Sequence, residues 1–556
     1  MSNKTTNLAL FFIILVHLFF ILLSAHQLYY GDETFFVTAA REVSQGHITG
    51  HFSHFKGKLI EDRSNMLMHP PTYVYLLALF IFLFKESVYS IRAVSALFSI
   101  GVLILIFLIT KKILENKNTE NSESWALLAA FLYAINPFAI QSSIIVDIDG
   151  GLLNFFILLF LYLYIEEKSF FYLIPSLFMV FASKLIGPVM LFASLFLLNL
   201  GIKDYKNTLK TILLFFITGF LFFLSFFIYT KVFDLSMTPL LRHGSIIGVL
   251  KNFLINYSPM LLRSFWGFKS FIYFITPFLF FLFMTLSLII LLSIFSYKSD
   301  YTIKNKNILL LWIFIIMNLL FLIVLSGNAG WNFPKYYITI LAPLIILVIC
   351  FTPKKIMHIE KIIPVLLLTI FLLSVYFIIF IKDPLIPEIQ GRISTIPVIS
   401  VIKPVLIRFT LYFIIPVLLC FFLLVRIPKK GFWIILFFLV FFTSIYLDII
   451  QAKADYSTHN LYGDKGLKEV IEYMKDKPPS EILCYVHVGF YLGYYETYEL
   501  TTLYYDKPAL IKALNEKNIK YIILYQKDID SIGKEILKGF KLDLEIGDYK
   551  ILKRTF

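Results

Sequence analysis

The chain has 556 residues, of which 59% are hydrophobic and only 15% charged. A soluble domain is about half apolar and about a quarter charged, so this composition excludes an ordinary water-soluble enzyme. It specifies a polytopic membrane protein. The formal net charge of +14 fits basic cytoplasmic loops and anionic lipid, and no nucleic-acid partner is expected. Cys350, Cys420 and Cys484 are far apart and lack metal-ligand spacing. Cys350 and Cys420 lie in apolar runs, where packing is the default role.

The first apolar run, Leu8 to Ala25, exceeds the roughly 7–15 residues of a signal-peptide core. It reads as a retained span with Lys4 on the cytoplasmic side. Next comes "YYGDETFFVTAARE" from Tyr29, which sets Asp32 and Glu33 side by side at the end of a span. Phe35, Phe36, Ala39, Ala40 and Val43 recur at helical spacing and predict an amphipathic helix on the membrane surface. "TYVYLLALFIFLF", Thr72 to Phe84, is 13 residues long, too short to cross a bilayer that takes about 20. It is expected to be re-entrant or interfacial. The first outer loop then runs over 26–89, and Asp32 faces the same side as "DID" (Asp147 to Asp149).

Six basic clusters lie between apolar runs: "KKILENK" from Lys111, "EEK" from Glu166, "KDYKNTLK" from Lys203, "YKSDYTIKNKN" from Tyr297, "PKKIMHIEK" from Pro353 and "RIPKK" from Arg426. Placing all of them inside, together with the N-terminus, requires about 13 transmembrane helices and an outer C-terminus. From Gln451 the chain turns polar. "DKGLKEVIEYMKDK" and "KPALIKALNEKN" have helical periods, while "EILCYVHV" and "KYIILYQK" read as strands. The expected division is a membrane domain at 1–450 and a small α/β extracytoplasmic domain at 451–556. His487 and Cys484 fall on an apparent strand and are expected in its core.

Charged groups beside apolar runs are costly unless paired or used. The outer face is expected to gather Asp32, Glu33, Arg41, His69, Arg92, Asp147, Asp149, Lys184 and Lys335. A carboxylate there can act as general base, and Lys, Arg or His can hold an anionic leaving group, a mixture that suits transfer from a phosphate-containing donor. Structural roles compete with each of these. "GDET" can be a helix cap, "DIDGG" a turn opening the next helix, and His69 before "PP" a polar residue at a bend. Lys184 and Arg92 can snorkel from helix ends.

In order along the chain, "GDETFFVTAARE", "HPPTYVYLLALFIFLF", "SVYSIRAVSALFSIGVLILIFLITKKI", "SWALLAAFLYAINPFAIQSSIIVDIDGG", "FASKLIGPVMLF" and "NFPKYYITILAPL" resemble the GT-C superfamily of membrane glycosyltransferases. The resemblance is to the branch of protein O-mannosyltransferases and aminoarabinose transferases. It covers most of the membrane region, and the stretch from about Leu200 to Gly330 is generic. It implies the GT-C fold and a polyprenyl-phosphate-linked sugar donor. It also implies a lipid, glycan or protein acceptor on the outer face of a multi-pass cell-membrane protein.

The family's catalytic base corresponds to Asp32, with Glu33 beside it. Its second acidic site corresponds to Asp147 or Asp149, and Asp149, immediately before the next span, is favoured. Lys184, Lys335 and Arg92 are candidates for the phosphate clamp. His69 and the basic–Tyr segment with Tyr336 are candidates for substrate contact. No cofactor is required, and a divalent metal is allowed. Two features depart from relatives: Met68 and His69 stand where aminoarabinose transferases carry an acid–Lys pair, and no "WWDYG"-type motif is present. The alternatives are a transporter or flippase of lipid-linked saccharides, against which the absence of an internal repeat counts, and a catalytically inactive envelope scaffold.

Overall fold

A computed structural model describes residues 3–24, 29, 32–46, 69–117, 119, 121–235, 305–329, 338–351, 466–493, 496–500, 507–525, 528–529, 532–533 and 535–555. Lys335, Tyr336 and Cys420 lie outside the described residues. The chain forms two compact units. One comprises Met1–Ala25, Ser95–Leu224 and Gly244–Tyr456, and the other His26–Val94, Ser225–His243 and Ser457–Phe556. His26–Val94 therefore groups with Ser457–Phe556.

The first unit is helical throughout its described residues. It contains α1 (Asn3–Ser24), most of α4 (Val88–Glu115), α5 (Ser122–Ala134), α6 (Pro137–Ile144), α7 (Gly151–Ile165), α8 (Phe170–Ser183) and α9 (Ile186–Gly201). Most of α10 (Tyr205–Val232), α11 (Lys306–Ala329) and α12 (Ile338–Phe351) complete it. Ile106, Leu132, Leu158, Leu195, Phe314 and Ile345 are fully buried in one apolar core. The outside is apolar as well. Along α10, Leu209, Leu213, Phe216, Phe220, Leu224 and Phe227 are exposed at helical spacing, as a lipid-facing stripe requires.

Among the described residues, three helices are long and apolar enough to cross a membrane: Lys4–Leu22, Val88–Glu115 and Tyr205–Val232. Six further apolar helices have 10–17 residues. The sequence around "LYAINPFAI" shows one reason for a short helix. Pro137 cannot continue the helix before it, so α5 stops at Ala134 and α6 restarts at Pro137.

A buried polar knot fastens these helices. His17 Nδ1 lies 2.8 Å from the Ala134 carbonyl, and its Nε2 lies 2.9 Å from Ser99 Oγ. Ser143 Oγ donates to Ser99 Oγ at 2.6 Å. Hydrogen bonds of this kind join helices that gain little from apolar contact in lipid.

The second unit contains α2 (Asp32–Ser44), α3 (Thr72–Phe84) and the C-terminal elements. The period of "FFVTAAREV" does make a helix, but Thr34, Phe36, Val37, Thr38, Ala39 and Ala40 are buried in protein. Phe36 meets Tyr73 of α3 edge-on at 5.5 Å. A surface helix was expected; packing against α3 covers it. The 13 residues of α3 reach about 20 Å at 1.5 Å per residue, short of a bilayer core.

The C-terminal part holds α13 (Leu467–Met474), β1 (Ile482–Cys484), α14 (Val486–Leu492), β2 (Tyr498–Glu499), α15 (Lys507–Glu516), β3 (Tyr521–Tyr525), β4 (Phe540–Ile546) and β5 (Tyr549–Arg554). The strands form one sheet in the order β2-β1-β3-β5-β4. β1 pairs parallel with β2 and β3, whereas β5 pairs antiparallel with β3 and β4. "EILCYVHV" is a strand only to Cys484, so His487 sits on α14 rather than on the sheet.

His487 is buried among tyrosines. The hydroxyls of Tyr549 and Tyr525 lie 3.0 and 3.2 Å from its Nε2, and the Tyr485 ring stacks on it at 5.6 Å. Burial lowers its pKa from 6.5 to about 3. The folded state therefore binds fewer protons than the unfolded one between these values. Its contribution to stability is lost as pH falls from about 6.5, at up to about 1.4 kcal/mol per pH unit. Thermal melts of the full-length protein in detergent should show His487→Phe losing stability less steeply than wild type between pH 6.5 and 4.

Candidate functional site

In the second unit, Asp32 is the first residue of α2 and Glu33 the second. Both residues thus open the helix, and the Glu33 carboxylate stands at its N-terminus, where free backbone amides and the helix dipole favour negative charge. Glu33 is 2% exposed and Arg92 3%. Arg92 donates to both Glu33 oxygens, at 2.7 and 3.1 Å. This bidentate geometry is what a guanidinium forms best with a carboxylate. The Arg92 guanidinium also lies 5.4 Å from the centre of the Tyr29 ring.

Tyr29 is buried, and its hydroxyl has no hydrogen-bond partner among the described residues. Burial pushes its pKa well above the usual phenol range. Its backbone is clipped from the C-terminal part: the Tyr29 amide donates to Tyr491 Oη at 2.7 Å, and Tyr491 Oη lies 3.3 Å from the Tyr29 carbonyl. Burial pushes the Tyr491 phenol up to about 12. Arg41 is not with Glu33; it pairs bidentately with exposed Glu86 at 2.6 and 2.7 Å and stacks over Phe490 at 5.1 Å. His69, half-buried, lies at the bend before α3.

In the first unit, "DIDGG" forms the turn that opens α7. The Gly150 amide donates to the Asp147 carbonyl at 3.3 Å, and the Asp149 amide to Asp147 Oδ1 at 3.1 Å. Backbone crowding accounts for the glycines. A Cβ on Gly150 would stand 2.7 Å from the Ser142 carbonyl, and one on Gly151 2.6 Å from the Ser95 carbonyl. Ser95 itself donates to the Ile145 carbonyl at 2.7 Å. The α8–α9 turn then delivers Lys184, whose Nζ lies 2.6 and 2.5 Å from the two Asp149 oxygens. Lys184 does not snorkel away to an interface; its ammonium is spent on Asp149. Its side chain keeps 20% exposure, against 8% for Asp149.

The same unit fixes which end of the helices this site occupies. α4 and α7 run side by side, touching through Ser95 and Gly151 at one end and Gly101 and Phe155 further along. At the other end Lys112 pairs with Glu166 at 2.9 Å. Nearby, Lys111 and Thr6 both bond Glu123, at 2.7 Å each. The N-terminal stretch, "KKILENK" and "EEK", expected on one face, are therefore gathered at one end. The Asp149–Lys184 pair lies beyond the opposite end of α7, whose 15 residues span about 23 Å.

Among the described residues, no group of three or more His, Cys, Asp or Glu is placed to hold a metal ion. Glu33 and Asp149 each turn both oxygens to a cationic side chain.

A family model for dolichyl-phosphate-mannose-protein mannosyltransferases matches residues 68–229. No protein of curated function matches the chain by sequence. Two crystal structures of ArnT from Cupriavidus metallidurans superimpose on it. One is the apo state, at 10% identity and TM-score 0.55; the other is bound to undecaprenyl phosphate, at 11% identity and TM-score 0.56. In both, the alignment covers 99% of this chain and 98% of ArnT. The chain shares the ArnT fold. The chain is thus similar to that mannosyltransferase family in sequence over 68–229 and to ArnT in fold over nearly its whole length. The segment matched in sequence includes His69, Arg92, Asp147, Asp149 and Lys184, whereas Asp32 and Glu33 precede it.

Sequence reasoning missed Tyr29, although it begins the motif that carries Asp32. Tyr491 had no local signal at all, because its partner is 462 residues away.

Removing one member of a buried ion pair strands the other and costs about 3–5 kcal/mol, whereas replacing both with apolar side chains is far less damaging. Glu33→Gln or Arg92→Met should each lower the melting temperature sharply, and the double variant Glu33→Leu/Arg92→Met should recover much of the loss. Gly151→Ala should destabilise by about 1–3 kcal/mol through overpacking against backbone, read from the same melts.

Proposed function

We propose that this protein transfers a sugar from a polyprenyl-phosphate donor to an acceptor hydroxyl at the outer face of the cell membrane, with inversion. The single observation that carries the reading is the match of residues 68–229 to dolichyl-phosphate-mannose-protein mannosyltransferases. The fold shared with an ArnT crystallised with undecaprenyl phosphate supports a lipid phosphate donor. The acidic motif at the end of α7 opposite the basic pairs supports an outer-face site, since basic loops stay in the cytoplasm. The N-terminus is then cytoplasmic and the α/β part extracytoplasmic.

The donor's leaving group is already a phosphate, so it needs positive charge rather than a proton. The acceptor hydroxyl needs a base. Its oxygen attacks the anomeric carbon while the bond from that carbon to the phosphate oxygen breaks; the electrons leave with polyprenyl phosphate and the acceptor proton passes to the base. Asp32 is the base in this scheme. Glu33 is excluded from that role by its commitment to Arg92, and Arg92 is likewise removed from the clamp. Lys184, partly exposed, is the cation that meets the leaving phosphate, with Asp149 as the group that orients it. Lys335, Tyr336 and His69 complete the substrate contacts.

Cells lacking the protein should accumulate one polyprenyl-phosphate sugar in their lipid extracts. Asp32→Asn should reproduce that accumulation with normal amounts of protein in the membrane. Lys184→Met should slow donor consumption by roughly 10²-fold, the usual scale for losing one preorganised electrostatic contact. Equal donor clearance by Asp32→Asn and wild type would remove Asp32 as the base. No accumulation in cells lacking the protein would remove the donor class.

A further inference from the structure

The Tyr29–Tyr491 clip is not used by the chemistry above. Tyr29 stands three residues before Asp32, and both hydrogen-bonding groups of its backbone are engaged by one phenol oxygen, at 2.7 and 3.3 Å. The neighbouring Phe490 ring meets the Tyr29 ring edge-on at 5.8 Å, and Phe490 also lies under the Arg41 guanidinium of α2 at 5.1 Å. One short helix of the C-terminal part, α14, therefore grips both the lead-in to α2 and the helix itself.

α14 is in turn fixed to the sheet. His487, one turn before Phe490 and Tyr491, bonds to the hydroxyls of Tyr549 on β5 and Tyr525 on β3. The grip has a rigid foundation. A loop entering a helix, by contrast, has little to hold its angle unless side chains or backbone bonds set it.

We infer that Tyr491 is a positioning residue for the catalytic carboxylate, so that the C-terminal α/β part completes the transferase site by fixing the entry of α2. Resting on the assignment of Asp32 as base, this gives the polar C-terminal residues a specific task. Catalytic groups must be held within a fraction of an ångström of their working geometry, and a misplacement of about 1 Å can cost about 10²-fold in rate. The single phenol oxygen of Tyr491 supplies part of that restraint across 462 residues of sequence.

The test compares full-length Tyr491→Phe with Tyr549→Phe, in nanodiscs and in membranes. Each variant removes one hydroxyl near α14, but only the first removes the clip. Tyr491→Phe should raise deuterium exchange in residues 29–44 at least severalfold. With the polyprenyl-phosphate lipid extracted from cells lacking the protein as donor, it should lower kcat roughly tenfold and leave the donor KM unchanged. Tyr549→Phe leaves the Tyr525 hydroxyl on His487 and the clip itself in place, so exchange at 29–44 and kcat should stay near wild type. Exchange in 29–44 that Tyr491→Phe does not change would overturn the inference, as would wild-type kcat despite raised exchange, or equal effects of the two variants. If cells lacking the protein accumulate no such lipid, the transfer reading fails on its own. The exchange comparison then still decides whether Tyr491 holds the entry of α2.

Discussion

Arg92 lies almost entirely out of contact with solvent, and a guanidinium cannot shed its charge to escape that burial. It must be neutralised by a partner with matching geometry, and Glu33 supplies both oxygens. The first turn of α2 has to face the first turn of α4, and the Tyr29 ring closes one side of the cation. A carboxylate so engaged is a structural element. The constraint that fixes Glu33 sets its carboxylate at the start of α2, against the first turns of α4.

The first unit solves a related problem with a different outcome. Asp149 is held at the head of α7 by a turn whose glycines lie against carbonyl oxygens, and Lys184 reaches it from the α8–α9 turn. Lys184 retains partial exposure. The two acid–base pairs are alike on paper and differ in burial.

The helical, membrane-bound character was legible from composition, and the short run Thr72–Phe84 was correctly denied the length of a span. The lengths of the helices around Pro137 and Lys184 were less legible. Hydropathy averages over breaks that a single proline or lysine imposes. The candidate acids and bases were all visible as charged residues beside apolar runs. Their pairing was not, because nothing in the local sequence tells Glu33 that its partner is Arg92 rather than Arg41. The burial of α2 was misjudged for a similar reason: an amphipathic period reports that one face is apolar, and it is silent on whether lipid or α3 covers that face. Part of "EILCYVHV" became helix α14, because the strand propensity of Tyr485–Val488 gave way to tertiary packing.

The Tyr491 clip also bears on how the protein is made. The Tyr29 amide acquires its phenolic acceptor only after 462 further residues have been synthesised, which takes roughly 20–90 s at about 5–20 residues per second. Throughout that interval the amino-terminal helices can enter the bilayer and pack. The segment leading to Asp32, however, lacks its final restraint. The entry to α2 therefore acquires this restraint only once the C-terminal sheet and α14 have been made and folded.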